Sequence, residues 1–150
     1  MKPRAAVALA ARVAVGAVMV FAGASKLALP AEEFARVIEA YGLVSASTAL
    51  SMAGLLPWLE VLLGWALILG VRARWAAVAA SALLASFLFA LGHVILIGIP
   101  IPNCGCFGAA VHFTPAHAFL FDSLTLALCW IVFRSEPDPL SLDSWANRGL

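Results

Sequence analysis

Four long apolar runs constrain this chain more than any other feature: residues 5–29, 49–69, 75–99 and 116–133. Each is close to the roughly 20 residues that a helix needs to cross about 30 Å of hydrocarbon. None alternates apolar and polar residues as a strand of a spanning barrel does. An open sheet in lipid would also leave its edge N–H and C=O groups without partners. Composition closes the soluble alternative. Hydrophobic residues make up 64% of the chain and charged residues 11%, with a mean hydropathy of +1.03. Soluble domains are about half apolar and about a quarter charged, and a 150-residue fold has too little interior to hide the excess. The net charge of +1 leaves no basic face for nucleic acid. The predicted fold class is all-α: a polytopic membrane protein with a four-transmembrane-helix bundle over residues 1–134. Residues 135–150, with Pro137, Pro139 and polar neighbours, read as a short soluble tail.

The first run has a competing reading as a secretory signal. Lys2 and Arg4 resemble its charged start, and Phe21-Ala22-Gly23-Ala24 its cleavage zone. Arg12 interrupts the apolar stretch, however, and three further spans follow. Lys and Arg near span ends set orientation. Lys2 and Arg4, Arg72 and Arg74, and Arg134 all fall on one side of four alternating helices. The sequence therefore places both termini in the cytoplasm of a cell with the chain in its inner (cytoplasmic) membrane. Loops 30–48 and 100–115 are then external.

The first external loop has structure of its own. Phe34, Val37, Ile38 and Tyr41 recur at helical spacing, with Glu32, Glu33 and Glu39 on other faces. Pro30 and the early glutamates suit a helix start. The prediction is a short amphipathic helix on the outer surface or capping the bundle.

Thiol chemistry concentrates in Pro100-Ile101-Pro102-Asn103-Cys104-Gly105-Cys106-Phe107-Gly108. Two prolines stop the third helix, and glycines permit unusual backbone angles. Cys104 and Cys106 stand one residue apart on the oxidising side. A disulfide between them closes a very small ring, which is easier to reduce than a structural bridge and stabilises little by closing a loop. That favours an exchange site. Cys129, in the fourth run, reads as a small buried hydrophobe. Metal binding is the competing reading: His93, His112 and His117 flank the cysteines, and Cys104, Cys106 and His112 could hold zinc or copper(I). Against it, Cys-x-Cys is shorter than the usual structural zinc spacing, and the histidines form no tight motif.

Arg12, Glu60 and Asp122 fall inside apolar runs, where ionisable residues are expensive and point to function. Counted from Arg4, Arg72 and Arg134, Arg12 lies roughly 12 Å up, and Glu60 and Asp122 each roughly 18 Å up. That predicts an interior cluster with an Arg12–Glu60 pair, acting as a structural lock or as a proton relay. Pro57 could loosen the helix one turn before Glu60. Lys26 and His93 sit higher, near the cysteines, where a cation would favour the thiolate.

These residues resemble a known family. Arg12, then Gly23-Ala24-Ser25-Lys26-Leu27, then Leu56-Pro57-Trp58-Leu59-Glu60 with Gly64, then Asn103-Cys104-Gly105-Cys106-Phe107-Gly108 are similar to the methylamine-utilisation MauE family, within the DoxX-like group of four-helix membrane proteins. The resemblance implies a redox-associated membrane protein that helps mature methylamine dehydrogenase beside a thioredoxin-like exported partner. It implies Cys104 and Cys106 as the redox pair, with Arg12, Lys26 and Glu60 as family positions; Asn103, beside Cys104, and His93, at the height of the cysteines, complete the candidate supporting residues. Where the family has an Arg-Asn pair near the start of the last helix, this chain has Phe121-Asp122. The functional expectation is a membrane thiol–disulfide oxidoreductase serving exported thiol proteins, exchanging electrons with a membrane quinone or with another thiol protein, the direction of flow being open. The alternative is a non-enzymatic assembly or metal-handling factor using the same cysteines.

Overall fold

A computed structural model of the chain describes residues 3–101, 104–107, 114–135, 141, 142 and 145. Five helices follow in order: α1 Pro3–Leu27, α2 Ala31–Ala40, α3 Ala46–Leu69, α4 Ala73–Ile97 and α5 Pro115–Arg134. No strand occurs among the described residues. α1, α3, α4 and α5 are each long and apolar enough to cross a membrane, and they coincide with the four apolar runs to within a few residues. The protein is a polytopic helical membrane protein. Its outer surface agrees: Leu62, Phe89 and Leu96 are 63%, 71% and 88% exposed, which water would penalise and lipid accepts. Left-handed Gly70 and Gly98 end α3 and α4, the conformation that glycine adopts most readily at a helix C-terminus.

The bundle is closed in the order α1, α3, α4, α5. α1 lies most extensively on α3, and α4 on α5, while α3 and α4 meet along a slimmer seam. Small residues set the α1–α3 contact. A Cβ on Gly16 would meet the Gly64 carbonyl oxygen at 2.7 Å, and one on Gly64 would meet that of Gly16 at 2.7 Å. One on Gly23 would meet the Pro57 carbonyl oxygen at 2.6 Å. Backbones this close gain dispersion contacts along their whole length, the usual source of helix association in lipid. α3 runs through Pro57 without a break.

The α1–α3 register corrects the predicted charge cluster. Gly16 lies against Gly64 and Ile68, and Gly23 against Pro57 and Glu60. Continuing that register downward brings Arg12 to Gly70, where a Cβ would meet Arg12 Nη1 at 2.5 Å and Ser141 Cβ at 2.7 Å. Glu60 and Gly70 differ by about 15 Å along the axis, so Arg12 does not pair with Glu60. The depth count assumed that Arg4 and Arg72 mark one level; the glycine contacts set another. Ser141 from the tail is buried at this end of the bundle. Of the predicted tail, 136–140, 143, 144 and 146–150 lie outside the described residues.

α2 is amphipathic, as predicted, and packs on α3 through Phe34, Ala35, Ala49 and Ala53. It caps the bundle at the end where the cysteines lie.

Candidate functional site

The cysteine turn follows α4 and tucks under α2. Gly105 adopts φ +71°, and a Cβ there would meet Val37 Cγ1 at 2.6 Å. Any larger residue would be both strained and blocked by α2. Tyr41, at the end of α2, donates its hydroxyl to the Cys104 carbonyl at 2.7 Å. Phe107 is buried and meets Phe21 at a tilt and Phe121 edge-on, with ring centroids 5.8 and 5.5 Å away. The turn is thus held on one side by α2 and on the other by α1 and α5.

Cys104 and Cys106 are free thiols. Cys104 is buried and Cys106 half-buried. The Cys106 backbone N–H donates to Cys104 Sγ at 3.4 Å. The Cys106 thiol beside Cys104 holds the latter's pKa down to about 7, with help from that N–H and from the Lys26 charge, against burial and Asp122. Cys106 is pushed up, because its thiol is the donor of the pair and because burial, Cys104 and Asp122 all disfavour a second anion. The pair therefore holds its first negative charge on Cys104. Tyr41 is likewise pushed up, by burial and by the neighbouring cysteines, so it remains a hydrogen-bond donor.

Behind the turn, Lys26 Nζ binds both carboxylate oxygens of Glu60 at 2.7 Å. Both side chains are buried. The ammonium also lies 5.5 and 5.6 Å from the ring centroids of Phe34 and Phe87, distances at which the ring faces attract a cation. The Gly23–Pro57 contact, one turn before Lys26, brings the two helices close enough for this pair. Buried Asp122, from α5, shares a cavity of about 30 Å³ with Lys26, Glu60, Cys106 and Phe107. A second cavity, of about 160 Å³, lies between α2, α3 and α4, with Cys104, Cys106 and Lys26 on its inner wall. The rest of its lining is almost wholly apolar, including Phe34, Leu56, Phe87 and Leu91.

The predicted site residues thus separate. Cys104, Cys106, Lys26 and Glu60 converge, and Asp122 joins them. Arg12 belongs to the opposite end. His93 is half-buried on α4 and lines neither cavity. Asn103 and His112 lie outside the described residues. Among those described, no three His, Cys, Asp or Glu side chains are grouped to hold a metal ion, and His117 Nδ1 instead meets Thr114 Oγ1 at 2.6 Å. Cys129 is buried in the core between Ala77, Ala80 and Val132. Sequence reasoning missed Tyr41 and Val37 as supports of the turn; their one signal was the apolar face of α2, which gives no contact partner.

The family model described as "Methylamine utilisation protein MauE" matches the chain over residues 4–135. Comparisons with curated proteins and with solved structures return no match. The match spans all five helices and the cysteine turn, and the chain belongs to the MauE family of methylamine utilisation proteins.

Proposed function

We propose that this protein is a membrane thiol–disulfide oxidoreductase that oxidises exported thiol proteins, with Cys104 and Cys106 as the exchanging pair. The observation that carries this reading is the asymmetry of the two sulfurs: Cys104 is buried with its thiolate favoured, and Cys106 is more exposed with its thiol favoured. In the disulfide state a client thiolate attacks the accessible Cys106 Sγ. Cys104 departs as a thiolate, the better leaving group because its pKa is lower. A second client thiol then displaces Cys106, giving a client disulfide and the reduced pair. Stabilising the reduced form makes the disulfide more oxidising, which sets the direction towards client oxidation.

The Lys/Arg asymmetry supports an inner-membrane orientation with both termini cytoplasmic and the cysteine turn external. An exported thioredoxin-like protein or another thiol client, such as an enzyme subunit of methylamine metabolism, suits that side. A quinone from the bilayer suits reoxidation. The apolar cavity beside the sulfurs has about the volume that holds one benzene-sized ring in a protein core; its apolar walls would hold a quinone ring, which would supply a two-electron, two-proton acceptor as the disulfide re-forms.

Trapping tests the reading. In Cys104→Ser the Cys106 thiolate can attack the disulfide of an oxidised exported client and release one client thiol; with no Cys104 to resolve it, the mixed disulfide should accumulate, seen as a band that collapses with reductant. Cys106→Ser should trap far less, and Cys129→Ser should behave as wild type. The reading fails if neither Cys104→Ser nor Cys106→Ser traps a partner while client disulfides form at the normal rate. An impermeant thiol reagent that labels the reduced turn only after lysis would overturn the external orientation.

A further inference from the structure

Asp122 has no part in the exchange as written, yet it stands beside it. The residue is 6% exposed, and its Oδ2 has no hydrogen-bond partner among the described residues. It faces the cavity of about 30 Å³ that Cys106, Lys26 and Glu60 also line. That volume accommodates about one water molecule. The charges around it do not balance. Lys26 is bound by both oxygens of Glu60, so an ionised Asp122 would place a second anion against one cation, away from water. A buried charge without compensation is costly, and a proton held on Asp122 removes the imbalance. The titratable groups facing this place are Lys26 from α1, Tyr41 from α2, Glu60 from α3, and Cys104 and Cys106 from the turn. α4 contributes only the apolar Leu83, Leu84 and Phe87 to the cavity.

We propose that Asp122 is the proton relay of Cys106, exchanging a proton with its sulfur across this cavity through one bound water. The inference rests on the exchange reading and names the step that reading leaves open. Attack of the first client thiolate on Cys106 Sγ breaks the Cys104–Cys106 bond, and Cys104 leaves as a thiolate that needs no proton. Attack of the second client thiolate on the client's own sulfur breaks the mixed disulfide, and the electron pair remains on Cys106 Sγ. This sulfur disfavours negative charge, so the Asp122 proton passes to it. The carboxylate left behind is reprotonated from the aqueous side. The client has lost two electrons, and the site has gained them as one thiolate and one thiol. Reoxidation runs the relay backwards: the Cys106 proton leaves through Asp122 to the aqueous side as the disulfide re-forms, and a quinone, where one is bound, would accept the two electrons with two protons from water.

The test uses the full chain in lipid nanodiscs and a synthetic peptide with two cysteines as client. Formation and release of the mixed disulfide are timed separately across a pH series. Asp122→Asn should form the mixed disulfide at the wild-type rate and release it about 100-fold more slowly, the scale of a lost positioned acid. Its release should also lose the decline that wild type shows as pH rises through the titration of the relay acid. Asp122→Glu should restore most of the rate. A second measurement does not depend on exchange: alkylation of Cys106 in a Cys104→Ser background, followed against pH. Removing the nearby carboxylate with Asp122→Asn should lower the midpoint by about one unit. Wild-type release kinetics in Asp122→Asn, or an unmoved alkylation midpoint, overturns the relay. If the wild-type protein forms no mixed disulfide, the exchange reading fails, and the alkylation midpoint still decides whether Asp122 and Cys106 share a proton.

Discussion

The two seams of α3 are built on opposite principles. Against α1 it presents Gly64 and the Pro57 carbonyl to Gly16 and Gly23, and the backbones touch. Against α4 it leaves the cavity of about 160 Å³ that reaches the cysteines. The tight seam fixes position: it holds a buried ion pair at 2.7 Å in a medium that would otherwise expel both charges. The loose seam leaves room, and its apolar walls suit a molecule delivered by the bilayer. Together they place one close-packed polar wall and one open apolar wall beside the same two sulfurs.

The largest effect should come from breaking the ion pair of the tight seam. Glu60→Leu or Lys26→Leu strands one buried charge and should destabilise the bundle by about 3–5 kcal/mol, the range for a broken buried pair. The double variant should be milder than the sum of the two. Arg12→Leu and Glu60→Leu should add independently, since Arg12 lies at the other end. Thermal unfolding in detergent measures all five variants. Additivity of the Lys26 and Glu60 changes, or coupling of Arg12 with Glu60, would break the register described above.

Next comes the seam itself. Gly64→Val pushes against Val20 and the Gly16 carbonyl, and overpacking of this kind costs about 1–3 kcal/mol. A valine at Gly54, where a Cβ meets nothing within 4 Å, should change unfolding by less than about 0.5 kcal/mol. Equal losses at the two glycines would remove the distinction between a tight seam and an ordinary helix face.

A smaller effect is expected where α2 holds the turn. Tyr41→Phe removes the hydrogen bond to the Cys104 carbonyl, worth about 1 kcal/mol. Sulfur chemistry should respond more to Cys106→Ala, because the Cys106 thiol is the main group lowering the Cys104 pKa. In wild type, alkylation of Cys104 should rise as pH increases through about 7 and then level off. In Cys106→Ala the rise should move to higher pH. An unchanged profile would detach Cys106 from the stabilisation of the thiolate.

The smallest change in stability should follow from filling the loose seam. Ala90→Leu adds volume at a half-buried position on the cavity wall and should alter unfolding by less than about 0.5 kcal/mol. It should nevertheless reduce protection of Cys104 and Cys106 by a short-chain benzoquinone in an alkylation assay. Undiminished protection would count against a quinone site in this cavity.

What the sequence determined by itself is what local pattern determines. Run length and hydropathy specify four spanning helices, because each helix in lipid must satisfy its own backbone and cover its own thickness of hydrocarbon. The period of Phe34, Val37, Ile38 and Tyr41 specifies an amphipathic α2. Cys104-Gly105-Cys106 declares its thiol pair through spacing alone. The tertiary structure decided the partnerships: Lys26 instead of Arg12 with Glu60, Asp122 beside Cys106, Val37 over Gly105, Tyr41 on the Cys104 carbonyl. Two hydrophobic helices have nearly the same hydropathy in any register, so hydropathy is blind to how far one slides along the other. The slide is set by where backbones can touch, at Gly16, Gly23 and Gly64, and a shift of a few residues along that seam would give Glu60 a different cation.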